Sequence, residues 1–156
     1  MNQNQSEKPP SAVILELVTG IWAAQAAAAA ARLGVPDALS SGPKSAEQLA
    51  PLVRANPSAL YRLLRALATT GVLTATPDGR FALTPVGELL RSDVAGSMRA
   101  FLVAETSPGH WLPWGNLDES VRTGEPATQR ALGCTIWEYY GSHPEEGRDF
   151  SSAMAS

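Results

Sequence analysis

The chain has 156 residues, 44% apolar and 17% charged, with a net charge of −3 and a single cysteine, Cys134. That balance excludes a disordered chain, and one cysteine excludes an internal disulfide while suiting a reducing compartment. Residues 1–91 carry eight Lys/Arg against six Asp/Glu, and residues 92–156 carry four against nine, so the phosphate-neutralising attraction that supplies most nucleic-acid affinity is weak here.

The opening "MNQNQSEKPPS" reads as a disordered tail over 1–11, with no basic stretch followed by an apolar one to make a signal peptide. A first helix is expected over 13–33. Val13, Ile14, Leu17, Val18, Ile21 and Trp22 follow the i, i+3, i+4 rhythm of one apolar face. Ala26 to Ala31 then combine high helix propensity with little bulk, which predicts a close approach by another helix. Gly34 and Pro36 end the helix. The stretch around "IWAAQAAAAAA" falls short of the roughly 20 strongly apolar residues of a membrane span, so a cytoplasmic protein without membrane contact is expected.

Ser45 and Gln48 form a capping box for a second helix whose stripe is Leu49, Leu52 and Val53. Asn56 caps a third, over 57–70, with Pro57 at its first position and Leu60, Leu63, Leu64 and Leu67 inward; Gly71 ends it. "VLTATPDGRFALT" is two β-rich runs around Asp78-Gly79, a hairpin signal. Thr84 and Pro85 start another capped helix. The fold class is therefore mainly α: a winged helix-turn-helix with a small β-hairpin plus additional helices, the winged-helix domain covering 12–91.

Residues 92–156 read as further helices. "SMRAFLVAET" is one, and "GHWLPWGNLDESVRTGEP" holds a second with Leu117 and Val121 on its apolar side. "TIWEYYGSHPEEGRDFSSAMAS" holds two pieces separated by Gly141. The last residues lie in the middle of a helical pattern, so more protein is expected beyond them.

Chemistry is sparse. No Gly-rich nucleotide loop and no metal-type Cys/His cluster is present. His110 and His143 sit beside Gly or Pro in loop-like sequence, and His110 is either a partly exposed loop residue or a pocket wall. Asp118-Glu119 and Glu145-Glu146 read as solvated surface, and Cys134 has no evident base. Trp111 and Trp114, three apart, are either core or an aromatic wall for a flat ligand. Phe150 and Met154, at i, i+4, divide between the same two roles.

"LGVPDAL", "SALYRLLRALATTGVL", "FALTPVGELLR", "WGNLDESVRTGEPA" and "FSSAM", in this order and spacing, resemble the S-adenosylmethionine-dependent O-methyltransferases of plant and bacterial secondary metabolism. The resemblance implies a winged-helix region used for homodimerisation. Residues 92–156 would be a helical, substrate-capping segment leading to a Rossmann-like S-adenosylmethionine domain that this sequence lacks, together with its general base. It also implies an aromatic small-molecule acceptor and places Phe150 and Met154 on the acceptor pocket, with Trp111, Trp114 and His110 as further candidates. Trp22 and Gln25 of helix one could reach a partner's pocket. No catalytic, cofactor-binding or metal-ligating residue carries over. Two other readings remain: a winged-helix DNA-binding regulator, for which Arg54, Arg62 and Arg65 speak, and a stand-alone interaction domain.

Overall fold

The computed structural model describes residues 8–155. The first seven residues of the expected tail lie outside the described residues. Helix α1 runs Pro10–Leu33, so Pro10 and Ser11 belong to the helix and not to a tail; Pro10 takes the first helical position, where its missing N–H costs nothing.

α1 divides into two halves. Ala27, Ala28, Ala30 and Ala31 are buried against the rest of the chain, where their methyl groups let α4 and α6 approach. The close contact predicted for the alanine run is thus made within the chain. By contrast every residue from 13 to 22 is exposed, including Ile14 at 60% and Trp22 at 66%. Leu15 is exposed as well, so at 100° per residue the apolar arc of this half spans about 200°, twice the width of an ordinary core-facing stripe. The single face expected from the sequence is too narrow a description. By length and composition alone α1 is apolar enough to cross a membrane, with a mean hydropathy of 1.6.

Gly34 ends α1 at φ 75°, in the left-handed region where glycine escapes the Cβ clash, and its N–H reaches the Ala30 and Ala31 carbonyls. Two short helices follow, α2 at Val35–Leu39 and α3 at Ala46–Leu49. The Ser45/Gln48 capping box forms as expected, with both reciprocal hydrogen bonds. α3 stops after one turn because Pro51 has no N–H to give the Glu47 carbonyl. This turns Leu52 outward, 59% exposed, while Leu49 and Val53 are buried. Leu52 therefore does not join the predicted stripe.

Helix α4, Pro57–Thr69, is capped by the Asn56 side chain accepting from Ala59 N. It buries Leu60, Leu64 and Leu67, with Leu63 partly covered. Strands β1, Leu73–Ala75, and β2, Phe81–Leu83, pair antiparallel with Leu73 opposite Leu83. Phe81 is buried beneath the edge of Tyr61, ring centroids 6.0 Å apart, and its backbone also bridges Lys44. α5, Pro85–Glu88, starts from the Thr84 cap. One core unites α1 to β2: Ala30, Val35, Leu49, Leu64, Leu67 and Phe81. This is the winged helix-turn-helix read from the sequence.

The remaining helices are α6 Arg99–Glu105, α7 Pro108–Trp114, α8 Leu117–Thr123, α9 Ala127–Leu132, α10 Ile136–Ser142 and α11 Pro144–Met154. α11 packs along α6, and α6 along α1. Arg99 Nε donates to Ala31 O at 3.2 Å, tying α6 to the end of α1. Two expectations fail here. The break in the last helical stretch falls at His143 (φ −126°, ψ 69°), because Pro144 drives its predecessor out of the helical region; Gly141 stays inside α10. Leu117 and Val121 are 48% and 78% exposed, since α8 is a short edge helix resting chiefly on α9.

Candidate functional site

The five residues singled out by sequence divide among three places. His110, Trp111 and Trp114 all lie on α7. His110 is therefore helical and not in a loop. Pro108 and Gly109 were read as loop residues, but Ser107 is extended (φ −79°, ψ 155°) and Pro108 occupies the first helical position, so this proline starts a helix.

Trp111 and Trp114 are not core. They line, with Ile21 of α1 and Phe101 of α6, an apolar cleft of about 630 Å³, within the range of small-molecule sites. Trp114 is 62% exposed and Trp111 36%. Two polar side chains share the wall, Glu105 and Thr106. The Thr106 hydroxyl is engaged: it donates to Leu102 O at 2.7 Å and accepts from Arg32 Nη1 at 3.3 Å. Its carbonyl accepts from Gln25 Nε2 at 3.4 Å, which gives Gln25 a role inside its own chain.

His110 and Phe150 belong to a neighbouring aromatic cluster. Phe150 on α11 stacks on Tyr140 of α10 at 5.2 Å, and meets the His110 ring at 5.5 Å and Trp137 at 6.1 Å. His110 Nε2 lies 2.6 Å from the Tyr140 hydroxyl, and its Nδ1 lies 3.5 Å from Glu105 Oε1. A chain Glu105–His110–Tyr140 thus links the wall of the cleft to the aromatic cluster. Burial, reinforced by Glu146, Glu105 and Tyr139, pushes the Tyr140 hydroxyl up to about 12. Tyr139 is raised too, first by burial and then by the hydrogen bond it donates to Glu146 at 3.0 Å. Met154 stands apart at the end of α11, 59% exposed.

Sequence reasoning missed Tyr140, Trp137, Phe101 and Glu105. The aromatic run "IWEYY" was visible, but nothing local pairs it with residues thirty positions earlier. It also misread Glu146, which is half-buried and accepts from Gly109 N at 3.0 Å as well as from Tyr139. Gly109 gives room there: a Cβ would stand 2.9 Å from Tyr139 Cε1, so that ring would have to shift. Cys134 is half-buried, its thiol directed at the Leu132 carbonyl at 3.6 Å. Among the described residues no group of three or more His, Cys, Asp or Glu could hold a metal ion.

The described residues thus form a winged helix with a flanking helical layer and a cleft walled by aromatic side chains. The family model of the O-methyltransferase dimerisation domain matches residues 15–93, and the chain belongs to that family. It is 35% identical over 154 residues to phenazine O-methyltransferase PhzM of Lysobacter antibioticus, covering 99% of this chain and 45% of that protein. It is 38% identical over 141 residues to O-demethylpuromycin-O-methyltransferase of Streptomyces alboniger, covering 90% of this chain and 37% of that one. A methyltransferase of calicheamicin biosynthesis, CalO1, solved with SAH bound, superposes with a TM-score of 0.83 at 31% identity, covering 99% of this chain and 45% of that chain. The chain thus spans less than half the length of these relatives.

The described residues do not fit S-adenosylmethionine. Their sheet is a two-stranded hairpin with no parallel strand feeding a glycine-rich turn and helix, the arrangement that cradles such a cofactor.

Proposed function

We propose that this chain is the dimerising and substrate-capping part of an S-adenosylmethionine-dependent O-methyltransferase that acts, in the cytoplasm, on a phenolic aromatic natural product. The observation that carries the reading is the split in α1. Its alanine half is embedded in its own core, while the arc from Val13 to Trp22 is exposed among the described residues. A bilayer suits this helix poorly, because its last turns, through Ala27, Ala28, Ala30 and Ala31, are packed inside protein. A second copy suits it well, because the wide arc needs covering on more than one side and the family is defined by dimerisation. The relatives' methyltransferase activity supports the reaction class, and the SAH in a related structure supports the cofactor. The cofactor-binding fold and the base would come from protein outside the described residues.

In this reading Trp111 and Trp114 form the apolar wall for a flat acceptor. Phe150, ordered by Tyr140 and His110, and Met154 border the place where the acceptor meets the cofactor domain. The part played by this chain is to bind, orient and exclude water, which lowers the barrier by holding two reactants in register. The winged helix is not read as a nucleic-acid reader. Arg62 and Arg65 are exposed on α4, but Arg65 lies over the Tyr61 ring at 6.0 Å and the surface beyond residue 92 is acidic.

Calorimetric titration of the chain with naphthol tests the acceptor wall. Binding in the micromolar to millimolar range, lost in the Trp111→Ala and Trp114→Ala double variant, is the expected result; binding unaffected by that variant contradicts it.

A further inference from the structure

The acceptor cleft has an electrostatic sign, and the sign restricts what can enter. Its walls are carbon except for two side chains. Thr106 has its hydroxyl committed on both sides, as donor to Leu102 O and as acceptor from Arg32. Glu105 remains, its carboxylate 39% exposed on the cleft wall. A carboxylate has about four acceptor positions, so the 3.5 Å contact with His110 Nδ1 leaves capacity for a ligand hydrogen bond.

The surroundings reinforce that sign. The adjoining hollow shares Thr106, Trp111 and Leu112 with the cleft and is bordered by Glu145, Glu146 and Asp149 against Arg32. Arg32 donates to Thr106, and Glu146 is held by Gly109 N and Tyr139. With Arg148, 4.0 Å from Glu145, counted beside Arg32, negative groups still outnumber positive ones around the apolar wall and bias the field there. Tryptophan faces add a further attraction for cations.

We propose that the cleft between α1, α6 and α7 selects flat aromatic molecules that carry a protonated amine or another hydrogen-bond-donating group, and discriminates against aromatic carboxylates, with Glu105 as the specificity-determining residue. This rests on reading the cleft as an acceptor site. It goes further in assigning the polar group of the ligand, which neither apolar walls nor relatedness to other methyltransferases decides. The occupant is a small molecule and not a partner helix, because the space is of small-molecule size.

The test uses three naphthalene probes of near-equal size on the whole chain: naphthylmethylammonium, naphthalenemethanol and naphthoate. Affinities are read by calorimetry at low salt. The cation is expected to bind about fivefold more tightly than the neutral alcohol, and the carboxylate about fivefold more weakly, the scale of one half-exposed ion pair. The spread should narrow at high salt. Glu105→Gln should bring the cation and the alcohol to within about twofold by weakening the cation more than the alcohol. An alcohol that binds while naphthoate binds as well as the cation overturns the charge assignment and leaves the aromatic wall standing. A spread that survives Glu105→Gln removes Glu105 as its source and overturns the proposal as stated. Failure of all three probes, the alcohol included, overturns the proposal together with the acceptor-site reading beneath it.

Discussion

Gly87 on α5 lies against the backbone of residue 72, just before β1. A Cβ there would collide with the Val72 carbonyl oxygen and stand 3.1 Å from Leu83 Cδ2. Backbone cannot move aside as a flexible side chain can, so Gly87→Ala is expected to cost about 1–3 kcal/mol, read as a lower denaturant midpoint at unchanged slope. The Tyr140 hydroxyl makes a second residue-scale prediction. Its neutral form is favoured in the folded chain, where it ionises at about 12 and not near its ordinary 10. The stabilisation is therefore complete below pH 10 and is lost as the pH rises from there towards 12. Tyr140→Phe should flatten part of that alkaline limb in unfolding curves taken across the window, and an unchanged limb would show that Tyr140 is not its source.

The elements differ in how much of them the sequence discloses. Caps were legible, because Ser45, Asn56 and Thr84 act on backbone groups two or three residues away. Each of Ser45→Ala and Asn56→Ala is expected to lower stability by about 1 kcal/mol in equilibrium unfolding. The hairpin was legible for the same local reason. The aromatic cluster was not, since His110, Tyr140 and Phe150 come from three helices that only tertiary packing brings together. The spacing of the two wall tryptophans puts both near one face if the stretch is helical, but does not say whether they face core or solvent. The proline signals cut both ways. Pro57 and Pro85 were read correctly as helix starts, whereas Pro108 and Pro144 start helices that were missed or displaced. Leu52 failed because Pro51 ends the periodicity on which its inward placement depended.

At the scale of the whole molecule, α1 joins two surfaces with different fates. The alanine half is fixed within the chain by Arg99 and Gln25 as well as by packing. The other half presents Val13, Ile14, Leu17, Val18, Ile21 and Trp22 to solvent, each worth about 1.5–3 kcal/mol on full burial. Cover of that arc by a second copy is what the proposed dimer requires, and the gain must exceed the translational and rotational freedom lost on association. The cleft borders the same helix through Ile21, so in the proposed function acceptor binding and association would use adjoining faces of α1.

Size-exclusion chromatography with light scattering at tens of micromolar tests this most directly. The chain should elute with about twice its 16.4 kDa mass, and Ile14→Asp combined with Ile21→Asp should return it to a monomer with unchanged helical circular dichroism. A wild-type chain that stays monomeric at that concentration, with residues 13–22 open to solvent, would contradict the account.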